Sequence, residues 1–318
     1  VEKALTNYFK CLKDTQASTL VKQPFQAFAG VIRYPVNTTE TKPDKFLKFI
    51  HLALEKSKRR ASYGNFQYFD YQDYQEEQFE VSVIEQMDEA ITQEQLKLSY
   101  TPIIHLLTNK VFLYQVNPYL EALSVDANYY YVIAKRRQQI DRLDKYVLKS
   151  SFKYLNHLAK LTDKYIRISI QIDEDTFRLK DFNAYVIGLI KQYDLPYSVI
   201  ELSIKSTGLS PVELMKTKEL SDLGIHIGIS EWVQATTPSV HFIHRKEPMK
   251  LDQIKTLDFI LSFKDFLQNH QMGIIFEHLD DMDKRKLKDF APVYVKEQKL
   301  NYTEDKLTAL IQGVKWWL

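Results

Sequence analysis

Residues 96–120 read LKLSYTPIIHLLTNKVFLYQVNPYL. Two runs within this stretch, Leu98–Ile104 and Val111–Val116, are rich in aliphatic, β-branched and aromatic side chains and read as strands. The polar turn Thr108-Asn109-Lys110 between them is too short for a crossover helix, so the two strands must be antiparallel. Downstream the pattern changes. Strand candidates at Ile166–Ile172, Val199–Ile204, Ile225–Ile229, Met249–Leu251, Gly273–Phe276 and Val293–Val295 are interleaved with helical periodicity. The helix candidates lie at about residues 139–160, 177–193, 211–222, 252–267, 282–290 and 303–315. Short strands alternating with helices predict an α/β fold, a (β/α)8 barrel whose first strand is antiparallel to the rest.

Upstream, EKALTNYFKCLK (residues 2–13) has helical spacing, and Phe25–Tyr34 reads as a strand. Pro43–Arg59 reads as a helix with Phe46, Phe49, Ile50, Leu52 and Leu54 on its apolar side. A short strand at Phe66–Phe69 leads into an acidic, Tyr-rich linker and then a helix over about 77–92. These features divide the chain into residues 1–76, a linker helix at 77–93, and the barrel at 94–318.

The composition is that of a globular protein: 45% hydrophobic and 26% charged among 318 residues. A formal charge of +2 gives no electrostatic reason to expect nucleic acid as partner. The single Cys11 excludes an internal disulfide or a thiolate metal cage. No apolar run reaches the roughly 18 residues of a membrane span. Together with the absence of a signal peptide, this reads as a cytoplasmic location, and the start at Val1 reads as a piece of a longer polypeptide.

Several motifs resemble the GGDEF–EAL family of cyclic di-GMP signalling proteins. ALEKSKRRASYGNFQYF (residues 53–69) resembles the end of a GGDEF domain, here a partial, degenerate GGDEF-like α+β segment. YTPII, from Tyr100, stands where an EAL domain has a YQPI-like run. LDKYVL (143–148) is similar to the family's Leu-Asp-Arg-Trp-Val-Leu helix, MKLD (249–252) to its Lys-Ile-Asp strand, and IIFEHLDD (274–281) to its Ala-Glu-Gly-Val-Glu strand end. Order and spacing are kept over nearly the whole chain, which implies an EAL-type barrel. The flanking pattern LPYSVIELS (195–203) resembles the FimX-type regulators of type IV pili.

An EAL hydrolase holds divalent cations that activate water for in-line displacement, and such hard cations need anionic oxygen ligands. Carried over residue by residue, the resemblance implies a damaged set. The Glu of the Glu-Ala-Leu signature is Gln115, the Asn after the third strand is Gln171, the Asp-Asp pair is Ser230-Glu231, and the late Gln is Lys296. Glu201, Lys250, Asp252 and Glu277 are retained. Carboxylates are lost and a cation gained, so the expectation is a pseudoenzyme with no metal and no cofactor.

The family's nucleotide contacts are altered as well. Thr101 replaces the Gln of the YQPI-like run, Asn117 the signature Leu, and Tyr119 an Arg whose guanidinium would meet phosphate or guanine. Tyr130 is a conservative aromatic. Thr101, Gln115, Asn117, Tyr119, Tyr130, Lys250 and Glu277 are the residues that would hold a nucleotide if one binds. Glu201, Lys250 and Glu277 read either as a relic site at the strand ends or as a structural charge network. The run YYYV (129–132) reads as a stacking platform or as packing, and Lys135-Arg136-Arg137 as an anion patch or as a solvated helix start. The histidines, HFIH (241–244) among them, read as surface or packing residues. His278 puts bulk where the family has Gly.

Three functions follow in order. The first is a non-catalytic regulator of the type IV pilus, twitching-motility and biofilm type, acting on a pilus-assembly or PilZ-type protein. The second is a cyclic di-GMP receptor that does not hydrolyse its ligand, and the third is a weak residual phosphodiesterase.

Overall fold

The computed structural model describes residues 2–18, 27–33, 43–59, 66–120, 127–206, 208–230, 239–245, 267, 269, 272–279, 281–287 and 292–313. Two compact units divide it, Val1–Glu85 and Gln86–Leu318.

In the first unit, helix α1 (Glu2–Ser18) precedes strand β1 (Ala29–Val31), helix α2 (Pro43–Arg59) and strand β2 (Phe66–Tyr68). β1 and β2 are parallel, with Gly30 opposite Gln67, as a strand–helix–strand crossover requires. Phe49 and Ala53 of α2 are buried. The helix sits so close that a Cβ at Gly30 would lie 2.2 Å from the Ile50 carbonyl oxygen, an approach only glycine permits. Phe49 stacks on Phe69 with ring centroids 4.3 Å apart. Helix α3 (Tyr71–Thr92) follows. Its first turns take up the acidic tract expected to be a linker, because Gln and Glu are strong helix formers.

The second unit is a closed barrel. Strands β3 (Lys97–His105), β4 (Lys110–Tyr119), β5 (Ile168–Asp173), β6 (Ile200–Lys205), β7 (His226–Ile229), β8 (Phe242–Arg245), β9 (Gly273–Phe276) and β10 (Val293–Lys296) are each hydrogen-bonded to the next. β10 returns to pair with β3, and this pair, like β3 with β4, is antiparallel. All other barrel neighbours are parallel. A short strand β11 (Tyr302–Thr303) pairs antiparallel with β3 at Tyr100 and Ser99. At the tight β3–β4 turn, Asn109 adopts φ 54°, a left-handed conformation that Asn tolerates.

Two expectations need correction. The slot between β7 and β9 is filled by Phe242–Arg245, whereas the sequence pointed to Met249–Leu251, which lies outside the described residues. Residues 127–136 form a helix, α4. The tyrosine run therefore lies within a helix, and Lys135 and Arg136 lie in its last turn, not at a helix start.

Helix α5 (Ile140–Thr162) lies between β4 and β5 in sequence. It buries Leu143, Val147, Leu148, Phe152, Leu155 and Leu158 at the i, i+4 spacing of one face. Asp144 on the same face is completely buried, and its Oδ2 accepts the Asp173 backbone N–H at 3.0 Å. Burial pushes the Asp144 carboxyl up to about 7, and the nearby Asp173 and Asp141 carboxylates add to the rise. A carboxyl whose folded pKa lies above its unfolded value binds extra protons when folded. Its contribution to stability is present below about 7 and declines as pH rises towards that value. Denaturant titrations of the intact chain should therefore show the barrel transition losing on the order of 2 kcal/mol between about pH 5.5 and about pH 8.5. Asp144→Asn, which keeps the acceptor and removes the charge, should flatten this profile. An equally steep fall in the variant would remove Asp144 as its source.

Candidate functional site

The C-terminal ends of the parallel strands form the barrel mouth, where enzymes of this architecture place their chemistry. Strand pairing fixes which side chains belong to the interior. Gln115 of β4 is in register with Thr101 of β3 and Ser169 of β5. Gln171 and Asp173 of β5 face Ser203 and Lys205 of β6. All of these except Lys205 are buried, and Lys205 and Lys296 are half-buried.

Hydrogen bonds tie much of this layer together. The Asn117 amide donates to Thr101 Oγ1 at 3.2 Å, and Thr101 donates to Asn301 Oδ1 at 3.4 Å. Ser230 Oγ donates to the Ile204 carbonyl at 3.5 Å. Asp173 accepts Lys135 Nζ at 2.8 and 3.1 Å and caps the short helix α6 (Glu174–Arg178) by accepting the Asp175 N–H at 3.0 Å. Burial disfavours the Lys135 ammonium, yet the Asp173, Glu174 and Asp175 carboxylates outweigh it and raise its pKa. Glu277 is buried just after β9, its N–H donating to the Arg245 carbonyl at 2.9 Å.

Of the residues that the sequence assigned to a site, Thr101, Gln115, Asn117, Gln171, Ser230, Glu277 and Lys296 lie on or immediately after the barrel strands. Glu231, Lys250 and Asp252 lie outside the described residues. Tyr119 is half-buried at the end of β4, in register with Lys97. Tyr130 is 1% exposed, so its ring is core packing and offers no face for stacking; burial raises its pKa.

Glu201 differs most from expectation. It is the second residue of β6, at the end where the parallel strands begin and away from the mouth. Its Oε1 accepts His244 Nε2 at 2.8 Å, with both side chains almost fully buried. Gly228 makes room for the pair, because a Cβ there would lie 2.0 Å from Glu201 Oε1 and 2.7 Å from His244 Nε2. Sequence reasoning treated His244 as a packing or surface residue. The period-2 alternation Phe242–His244 on one strand, facing Gly228 and Glu201, is the signal that could have exposed it.

A divalent cation of the kind the fold family uses needs converging carboxylates. Among the described residues, no three His, Cys, Asp or Glu side chains come together to hold a metal ion. Among the described residues the mouth offers amides, hydroxyls and two ammonium groups beside Glu277 and the Lys135-bound Asp173, and these alone do not make the carboxylate cage of a hard dication; Glu231 and Asp252 lie outside them.

The barrel is an EAL-type (β/α)8 fold, and residues 84–240 match the family model described as the EAL domain. The chain resembles solved structures of that class. With the EAL enzyme Bd1971 in its cAMP- and cyclic-di-GMP-bound form it shares 14% identity over 86% of this chain and 76% of that one, with a TM-score of 0.61. For the PaMucR phosphodiesterase in complex with c-di-GMP the values are 12% identity, 68%, 94% and 0.58. For the Xanthomonas citri FimX EAL domain in complex with c-diGMP they are 16%, 70%, 93% and 0.57. At such identities the likeness is one of fold. A search of curated proteins found no match to the chain.

The clearance at Gly228 gives a direct test. Gly228→Ala should destabilise the barrel by about 3 kcal/mol, because the methyl group overpacks the strand and pushes apart a buried pair. Urea unfolding should show a lower midpoint with an unchanged slope. A shift below about 0.5 kcal/mol would mean that the Glu201–His244 contact is not fixed in the fold.

Proposed function

We propose that this chain is a non-catalytic regulator in the cyclic di-GMP signalling class, working through protein contacts of its EAL barrel. One observation carries the reading: among the described residues the mouth sets Gln115, Gln171, Ser203, Ser230, Lys205 and Lys296 around only two carboxylates, Glu277 and the Lys135-bound Asp173, where two-metal phosphodiester chemistry draws on several. The hydroxyl and amide of Thr101 and Asn117 are spent on each other and on Asn301. A link to type IV pilus assembly, with a PilZ-type or pilus-assembly partner, rests on sequence resemblance to the FimX-type branch. So does the reading of the first unit as a degenerate GGDEF-like segment. In the chain as described, no helix is long and apolar enough to cross a membrane.

A second reading, a receptor that binds cyclic di-GMP without cutting it, is favoured by a specific feature. The half-buried ammonium groups of Lys205 and Lys296 give the mouth fixed positive charge towards a phosphate. Several structures of this fold were solved with that nucleotide bound.

Calorimetry with cyclic di-GMP, in buffers with and without Mn²⁺, separates these readings. The regulator reading expects no turnover under either condition, and no saturable heat up to about 100 μM ligand, equivalent to a binding free energy weaker than about −5.5 kcal/mol. Saturable, metal-independent heat would replace it with the receptor. Metal-dependent turnover would sink both.

A further inference from the structure

Strands β9 and β10 lie side by side and parallel, with Phe276 level with Val295. The next residue of each, Glu277 and Lys296, follows at the same height, the two backbones about 4.8 Å apart. The ladder continues through this level, because the Glu277 N–H donates to the Arg245 carbonyl at 2.9 Å. Ile275 and Tyr294 belong to a buried cluster drawn from strands on opposite sides of the ring, and so face the barrel interior. Inward positions recur every second residue, so Glu277 and Lys296 also face inward, at the mouth. By the same alternation Gln115 follows the inward Leu113 of β4, and Ser203 and Lys205 follow Glu201 of β6.

These side chains share an unusual condition. Gln115, Ser203 and Glu277 are only 6%, 5% and 8% exposed. Among the described residues none of the three side chains has a hydrogen-bond or ion-pair partner, yet solvent reaches their polar atoms. Lys205 and Lys296 are half-buried and likewise without a partner among the described residues. Glu277 and Lys296 stand on neighbouring strands at one level with opposite charges, and still form no ion pair. Asp173, level with Lys205 on β5, is held by Lys135 at 2.8 Å and does not take up the Lys205 charge. Polar groups this deeply buried lose water contacts that only a hydrogen-bonding occupant restores. A few such groups converging on one concavity are the mark of a small-molecule site.

The signs define what fits. Glu277 calls for a cationic donor, and Lys296 immediately beside it calls for an anion, so the two charges of the ligand must be adjacent. In the eight-strand ring β6 stands four places from β10 in either direction, which sets Lys205 on the far side of the mouth from Lys296. A second anion reaching across would meet it. The Gln115 amide and the Ser203 hydroxyl add neutral donors between these poles. An ammonium and a carboxylate on one carbon, with a further carboxylate on a short arm, has this arrangement.

We propose that the barrel mouth is a binding site for a free acidic α-amino acid. Its ammonium meets Glu277, its α-carboxylate meets Lys296, and its side-chain carboxylate meets Lys205. The inference goes beyond the regulator reading, which concerns protein contacts, and is decided by its own titration.

The test titrates the intact chain by calorimetry with L-aspartate and L-glutamate. Succinate serves as the dianion without an ammonium, and glycine as the zwitterion without a second carboxylate. Saturable binding is expected for at least one acidic amino acid, with both controls roughly tenfold weaker or more. Glu277→Gln should weaken the amino acid by roughly tenfold and leave succinate no weaker. Lys205→Gln, a change at a half-buried strand end, should bring the acidic amino acid down to the level of glycine and leave glycine itself unchanged. It keeps the test decisive if Glu277→Gln fails to fold. Lys218→Gln, on the exposed face of the helix Pro211–Asp222, should change nothing. The proposal is overturned by the absence of saturable heat up to about 10 mM of either amino acid. Equal binding of succinate, which would make this a plain anion site, overturns it, as does equal binding of glycine. Binding that survives Lys205→Gln at full strength, or falls equally in Lys218→Gln, places the ligand elsewhere and defeats it too.

Discussion

Tyr294, Val295 and Lys296 of β10 pair antiparallel with His105, Ile104 and Ile103 of β3, and this seam closes the barrel. Side chains alternate strictly along a strand, so the register of one pair fixes which residues of the next can face inward. From the seam the alternation runs around the ladder: Ile103 with Leu113, Thr101 with Gln115, Gln115 with Ser169, Ser169 with Glu201. A slip of one residue at the seam would turn Lys296 outward and put Val295 into the mouth. The register shift between Ile103 and Ile104 lies at this point, and an extra residue there lets an antiparallel strand bend into an otherwise parallel cylinder. Ile103, Leu113, Phe242, Ile275 and Tyr294 form a buried apolar cluster beneath it, so the closure is held by side-chain packing as well as by the ladder.

That packing separates two ends of different electrostatic character. At the mouth, hydrogen bonds join Asn117, Thr101 and Asn301, and Lys135 neutralises Asp173. At the opposite end one carboxylate is sunk into the barrel with a single imidazole as partner. Removing one member of such a pair leaves an uncompensated buried charge, whereas exchanging both for apolar residues can be neutral.

Much of the fold was legible in residues 96–120, because a turn of Thr108-Asn109-Lys110 between two β-rich runs leaves no other geometry. The barrel's sixth strand was not. Phe242–Arg245 carries two ionisable side chains in four residues and follows no apolar run, so the motif MKLD nearby drew the assignment to itself. Helix α4 was missed because consecutive tyrosines favour strands on propensity, and burial of Tyr130 and Tyr131 against the barrel overrode that preference. At the site, motif matching named Glu201 but could not say at which level of its strand the carboxylate sits. Only the pairing with Ser169 and His226 supplies that, and it moves the residue from one end of the barrel to the other. Alternation along Phe242–Arg245 could have put His244 inside the barrel, but its pairing with Glu201, 43 positions away, leaves no local trace.

Lys296, where the family resemblance sets a Gln, changes the kind of electrostatics available at the mouth. A dication supplies positive charge only inside an anionic cage, so its field is largely cancelled by its own ligands until substrate arrives. An ammonium on a packed strand, such as that of Lys296, carries its charge without a cage and keeps it when the mouth is empty. Charge of this kind can attract an anionic group and hold it without a bound ion. Retention of the barrel with Lys296 at the mouth is therefore compatible with recognition of an anionic group.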